Sequence, residues 1–324
     1  MNTANSTTNS ENTTILERYY YKKIPVIILK NGRSGSSWFR NLLHEEPYSS
    51  IKKELITKNL GLKLNRREKF ETIFKFMKKY NDTTNSDTHI FGFTMCPFLH
   101  DGSTQDDIID VLKEVRSHFP SLRLIVFSRS NVFRTAIASH STKIHDIRKN
   151  VSIACHEEGK DCCATNFPFQ NFQCEFPNIL KYHNMILKMS NTISRDWGVP
   201  VKTYLFEDLL RDTRGTMKSV FQELGLPDNI TSHLLNVKNL TSSTTNTKSI
   251  RNEITSNNNF SIDLANQSLY LNYFQSLPNP SKDCLLNQLH IPNDVVSPVC
   301  DYPFTSLENK FCGKKYNPSY ECKE

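Results

Sequence analysis

The amino-acid sequence predicts an α/β protein, a three-layer sandwich with a central parallel sheet and helices on both faces. Three observations predict it. Short aliphatic or β-branched runs alternate with segments whose apolar residues recur at helical spacing. Strands separated by helical stretches in this way belong to parallel sheets covered on both faces. Two of the runs end in short polar loops containing an arginine and then pass directly into helical pattern, an arrangement that puts ligands beyond the carboxyl ends of strands.

The elements follow in order. Residues 1–20 form an N-terminal segment whose start, MNTANSTTNSENTT, is polar, has no apolar signal core and is predicted to be disordered. Ile24 to Leu29 reads as a short buried strand that ends at Asn31-Gly32, a turn signal. From Ser36 the pattern turns helical, with Phe39, Leu42 and Leu43 sharing a face. Arg66 to Tyr80 is a helix carrying Phe70, Ile73, Phe74 and Met77, and Thr88 to Met95 is a second strand. Asp106 to Phe119 is a helix striped by Ile108, Ile109, Leu112 and Val115; Ser121 to Phe127 is a third strand, followed by a helix over Val132 to Asp146. Asn150 to Pro177 is a Cys-rich insertion, Asn178 to Trp197 a helix, and Val199 to Phe206 a fourth strand. The main domain spans 21–277, and 278–324 is a Cys/Pro-rich C-terminal extension.

Composition sets outer limits. A chain of 324 residues buries a full core. The net charge of +7 comes from scattered pairs such as Lys52-Lys53 and Arg66-Arg67, with no run that marks a nucleic-acid arm. It suits an anionic ligand or an acidic glycan, and equally a solvated surface. No apolar stretch is long enough to span a membrane. The nine cysteines cluster in the middle of the chain and in its tail, without the CxxC spacing of a zinc site, so no metal is expected. Clustering in loop-rich segments fits disulfide staples in an oxidising compartment. Asn-x-Ser/Thr sequons such as Asn81, Asn150 and Asn239 are compatible with a lumen. The polar start, with neither signal nor anchor, points the other way and leaves the cytoplasm open.

The chemistry concentrates in Ile24 to Trp38, IPVIILKNGRSGSSW. Strand, small-residue loop and helix aim backbone N–H groups and the positive end of a helix dipole at one point, which suits a phosphate-like anion. Arg33 adds a permanent charge, and Ser34, Ser36 and Ser37 add hydroxyl donors around Gly35. No Lys follows Gly35, so this is not the GxxxxGK[ST] loop of nucleoside triphosphatases, and GxGxxG is absent as well. What Arg33-Ser34-Gly35-Ser36-Ser37-Trp38 resembles is the 5′-phosphosulfate loop of sulfotransferases, in the version of Golgi carbohydrate and tyrosylprotein enzymes.

Two further segments carry the resemblance. In LIVFSRSNVFRTAIAS, Arg129 at a strand end and Ser139 on the next helix are similar to the pair that grips the 3′-phosphate of the donor. Ser139 lies ten residues after Arg129, two beyond the family pattern, where Ile137 stands, so Ser130 or Arg134 are alternatives. Tyr204 to Leu210, YLFEDLL, with the later Gly225-Leu226-Pro227, is similar to a structural segment of the same superfamily. There Asp208 is expected to cap or brace a helix start and Gly225 to end a helix. The likeness covers Ile24 to Phe274 and places Lys248 to Asn252, inside the Ser/Thr/Asn-rich stretch from Asn239 to Asn259, where the family folds a basic loop over its cofactor. By itself that stretch reads as low-complexity linker.

The resemblance implies a P-loop-like fold and an enzyme that moves a sulfuryl group from 3′-phosphoadenosine-5′-phosphosulfate (PAPS) to an acceptor hydroxyl by in-line displacement. Arg33 with the amides of Ser34 to Ser37 would neutralise the leaving 5′-phosphate; Arg129 and Ser139 would hold the 3′-phosphate. A hydroxyl acceptor needs a base. Ungapped alignment from Arg33 to Pro47 puts Glu54 at the catalytic glutamate of tyrosylprotein enzymes, and His100 is the rival. A carbohydrate acceptor comes first, protein tyrosine second and a small alcohol third. A Golgi or secretory location is expected from the cysteines and sequons. No nucleic-acid partner is expected, and oligomeric state stays open. Outside catalysis, a Cys-rich glycan-binding protein would use the insertion and tail but leave the paired anion loops unexplained.

Overall fold

The computed structural model describes residues 23–32, 34–56, 64–83, 88–97, 105–136, 169–198, 201–237, 272, 275, 281–291 and 294–300. Arg33, His100, Ser139, residues 1–20, the insertion up to 168, the 239–259 stretch and the tail beyond 300 lie outside them.

Five parallel strands form one sheet: β1 (Ile24–Lys30), β2 (Ser49–Lys52), β3 (Ile90–Met95), β4 (Arg123–Ser128) and β5 (Lys202–Leu205), in the order β2-β3-β1-β4-β5. β1 is central because its sequence allows nothing else. Val26, Ile27, Ile28 and Leu29 are all fully buried, so both faces of the strand need cover. Val26 and Ile28 pack against α1 (Ser36–Leu43), α5 (Phe206–Arg211), α6 (Thr213–Glu223) and α7 (Asp228–Val237). Ile27 and Leu29 face the core shared with α2 (Arg66–Thr83), α3 (Gln105–His118) and α4 (Phe169–Trp197). The result is the three-layer sandwich that the alternation of elements predicts, with the parallel sheet of the P-loop-like fold that the resemblance implies. Far along the chain comes α8 (Ser281–His290), the last helix among the described residues.

The sequence reading and the structure differ at several elements. Ser49–Lys52 forms an edge strand, β2, the short strand that the likeness to tyrosylprotein enzymes implies between Pro47 and Glu54, so the sheet has five strands where sequence periodicity marks four. Four residues, two of them serine, carry too little apolar pattern to stand out; pairing with β3 makes them a strand. α4 begins at Phe169 and continues through Pro177, which the sequence reading took as the end of the Cys-rich insertion. A proline removes one backbone donor and normally ends a helix. Here Phe176 and Pro177 are buried, and packing keeps the helix running. Phe206 starts α5 rather than ending β5.

Helix ends obey local chemistry. Asp212 caps α6 by accepting from the Gly215 amide at 2.8 Å, a role the sequence reading gave to Asp208. Gly225 at φ 75° closes α6 with a paired-bond stop: its amide donates to Gln222 O at 2.9 Å and the Leu226 amide to Phe221 O at 3.0 Å. Residues 132–136 are helical and follow β4 after a short turn.

Candidate anion-binding site

The topology creates the site before any side chain does. The chain leaves β1 toward the β2 edge and leaves β4 toward β5, so the two connections diverge from neighbouring strands. Such a divergence opens a crevice at the carboxyl ends of the strands. The loop at 31–35 and Arg129 are the two segments that rim it.

In the first loop Asn31 and Ser34 are buried, and the Ser34 hydroxyl donates to Asn31 O at 2.9 Å. That proton braces the turn. Gly35 is the N-cap of α1 at φ 81°, ψ 10°, a left-handed conformation that costs a side-chain-bearing residue about 1–2 kcal/mol. A Cβ there would also meet the Phe206 ring at 2.4 Å. The carbonyl of Gly35 accepts from the Trp38 and Phe39 amides, at 3.0 and 3.2 Å, and no side chain caps the helix. The first-turn amides of Ser36 and Ser37 therefore stand at an uncapped helix N-terminus with no acid in the first turn. Ser36 is buried, Ser37 is exposed, and Trp38 meets Phe206 edge-on with centroids 6.0 Å apart.

The second loop is built differently. Arg129 is 6 % exposed, and its guanidinium lies over the Phe206 ring at 4.8 Å. Phe206 thus fills the space between Gly35 and Arg129, joining the two loops through one ring. Burial lowers the Arg129 pKa to about 10, against the raising effect of Glu207, and Arg134 lowers it further. The guanidinium stays charged at neutral pH. Arg134 is also lowered by burial and supported by Glu207. Glu207, 1 % exposed, accepts from the amides of Ser130 at 3.1 Å and Asn131 at 3.2 Å. Val132 N donates to Gln288 Oε1 at 3.2 Å, and Arg134 N to Asn131 Oδ1 at 3.0 Å. The amides that an anion might have used are spent inside the protein, so recognition at this loop falls to side chains, Arg129 first.

Glu54 follows β2, 28 % exposed, and its carboxylate pairs with Lys30 Nζ at 3.6 Å. β3 lies between the strands that carry these two residues, so the pair bridges the carboxyl-end rim across it. Behind the rim, Ser128 Oγ and His183 Nδ1 are 3.1 Å apart and buried; burial drives the His183 pKa down to about 4. Among the described residues no group of three or more His, Cys, Asp or Glu could hold a metal ion. No described helix is long and apolar enough to cross a membrane. Cys284 and Cys300 form a disulfide.

The structure therefore brings Gly35, Trp38 and Arg129 against the one Phe206 ring, with Ser34 and the first-turn residues Ser36 and Ser37 beside Gly35 along the chain, and sets Glu54 just after β2, paired with Lys30. Four residues that shape the site escaped sequence reasoning: Lys30, Phe206, Glu207 and Gln288. Lys30 had a signal, a charge closing an apolar strand. Glu207 and Gln288 had none, because their partners lie far away in sequence: Ser130 and Asn131 for Glu207, Val132 for Gln288.

No family model matches the chain, and no curated protein matches it. Seven chains of solved structures match. One is a sulfotransferase from Alicyclobacillus acidocaldarius, with TM-score 0.41 and 15% identity, covering 63% of this chain and 81% of that one.

Proposed function

We propose that the protein is a sulfotransferase that takes a sulfuryl group from PAPS and delivers it to an acceptor hydroxyl, on a carbohydrate first of all. The observation that carries this reading is the pairing of two unlike cationic elements at one crevice. An uncapped helix N-terminus follows β1, and a buried, charged Arg129 follows β4, with Phe206 packed between them. A donor with a 5′-phosphosulfate and a 3′-phosphate asks for two anion sites on one face. The donor set fits it: amides, hydroxyls and guanidinium in the loops, no acid in the first turn of α1.

The roles follow. PAPS supplies the sulfuryl group and leaves as adenosine 3′,5′-bisphosphate. The Ser36 and Ser37 amides hold the 5′-phosphosulfate by hydrogen bonds and the α1 dipole. Arg33 is assigned the same anion from its place between Gly32 and Ser34; as a permanently charged guanidinium it acts as an electrostatic clamp, not a proton donor. Arg129 takes the 3′-phosphate, with Ser139 as its assigned helix partner. Glu54 accepts the acceptor's proton, its carboxylate placed by Lys30. The Golgi or secretory lumen is the proposed compartment, and the Cys284–Cys300 disulfide supports it.

Calorimetry with adenosine 3′,5′-bisphosphate, AMP and ATP tests the reading. The bisphosphate is expected to bind at least tenfold more tightly than AMP. Arg33→Ala should weaken both by roughly tenfold or more, as loss of a charge-assisted bond predicts. Arg129→Lys should weaken the bisphosphate alone, and Glu54→Gln should lower turnover without changing donor affinity. If folded wild type binds none of these nucleotides, or prefers ATP, the proposal fails.

A further inference from the structure

Among the described residues, a dense set of long-range hydrogen bonds joins the Arg129 loop to the far C-terminal segment. Gln288, on α8, is fully buried. Its side-chain oxygen accepts from Val132 N at 3.2 Å, and its backbone carbonyl accepts from Asn131 Nδ2 at 2.9 Å. Its side-chain nitrogen donates to Pro298 O at 2.8 Å and to Ser130 O at 3.5 Å. One glutamine thus ties the turn after β4 to both ends of the C-terminal segment. Ser297 N adds a bond to Ser130 Oγ at 2.8 Å, and Arg134 Nη2 donates to Ile291 O at 3.0 Å.

The segment is closed on itself by the Cys284–Cys300 disulfide, which brackets Gln288 and Ser297. Cys300 is fully buried, and its carbonyl accepts from Asn184 Nδ2 on α4 at 3.2 Å. The staple therefore holds together the two strands of chain that grip the loop. Among the described residues, the first loop shows a single side-chain brace of its own, the Ser34 hydroxyl on Asn31 O, and the Phe206 ring against Gly35. The asymmetry fits the chemistry of each site. The first loop presents backbone amides from a helix end, which the helix itself orients. The second presents a long arginine side chain, whose aim depends on how firmly its backbone is held.

We propose that the disulfide-closed segment 281–300 is a clamp on the Arg129 loop, and that Gln288 is a positioning residue through which it sets affinity for the 3′-phosphate. The part concerning 3′-phosphate rests on the function proposed above; the clamp itself does not. Gln288 touches no reacting group and acts through residues 130–132. The bond accounting is simple. Without the glutamine, the Val132 amide and the Ser130 carbonyl lose their partner, and the turn is free to re-aim Arg129.

Two variants test this, Gln288→Ala and the Cys284→Ser/Cys300→Ser pair, with Gln288→Met as the control that keeps the side-chain length without the hydrogen bonds. Amide hydrogen exchange is measured first. Exchange at 130–135 should accelerate about tenfold in both variants while β1 and β3 keep their protection, and Gln288→Met should recover none of the protection at Val132. Calorimetry follows. Affinity for adenosine 3′,5′-bisphosphate should drop roughly tenfold, and affinity for AMP should stay within about twofold. General destabilisation would weaken both ligands together and loosen the whole sheet.

Unchanged exchange at 130–135 overturns the clamp. Faster exchange with the 3′-phosphate preference intact overturns its role in affinity. Wild type that shows no 3′-phosphate preference overturns the functional reading and leaves the exchange result to decide the clamp. Where the double cysteine variant fails to fold, Gln288→Ala decides the matter alone.

Discussion

Two adjacent carboxylates make opposite predictions. Glu207 is 1 % exposed and accepts two amides from the turn after β4, beside the buried Arg129 and half-buried Arg134 charges. Asp208, half-exposed, pairs with Arg211 on its own helix. Glu207→Ala leaves two buried amides without acceptors and removes the negative charge that supports one buried and one half-buried guanidinium. Hydrogen bonds to a charged acceptor contribute about 1.5–3 kcal/mol each. Removing one partner of a buried pair costs about 3–5 kcal/mol, and the effects overlap rather than add. The expected loss is about 3–5 kcal/mol, a large share of the roughly 5–15 kcal/mol available to a domain. Glu207→Gln keeps the volume and one acceptor, and should lose about half as much. Asp208→Asn removes only an exposed pair, with an expected change below about 1 kcal/mol. Urea unfolding followed by circular dichroism separates the three. A Glu207→Gln loss under about 0.5 kcal/mol, or an Asp208→Asn loss above about 1 kcal/mol, would refute the reasoning.

Gly35→Ala should destabilise by about 2–4 kcal/mol, the left-handed backbone cost plus overpacking against Phe206; Phe206→Leu in the same chain should recover part of it, and an unchanged melting temperature contradicts the steric account. His183 has a folded-state pKa of about 4 against 6.5 in the unfolded chain. Between those values the unfolded state binds more protons, so its contribution is complete above about pH 6.5 and is lost as pH falls toward 4. The full span is about 3 kcal/mol. Stability of wild type and His183→Gln measured from pH 7.5 to 4 should diverge across that window; parallel curves argue against it.

Much of this protein was readable along the chain. The run Val26 to Leu29 specifies a strand buried on both faces, because no half-exposed strand is apolar at every position. Asn31 to Ser37 specifies a tight turn into an uncapped helix, because the signals are the residues' own backbone preferences. Arg129 follows from its place at a strand end. These features are local, and a local signal survives in one dimension.

The tertiary structure decided the rest. Pro177 stays inside a helix because its neighbour Phe176 is buried, which no propensity reveals. Ser49–Lys52 becomes a strand only by pairing with β3. Glu207 rather than Asp208 reaches back to the Arg129 turn, since the α5 start turns one carboxylate inward and its neighbour outward. Gln288, an unremarkable glutamine in an apparent appendage, is fully buried against the same turn. The sequence by itself marked the two strand-end loops, at Arg33 and Arg129, as candidates for anions. Only the folded chain determined how those loops are joined, because burial and hydrogen bonding link residues whose separation along the chain erases any pattern.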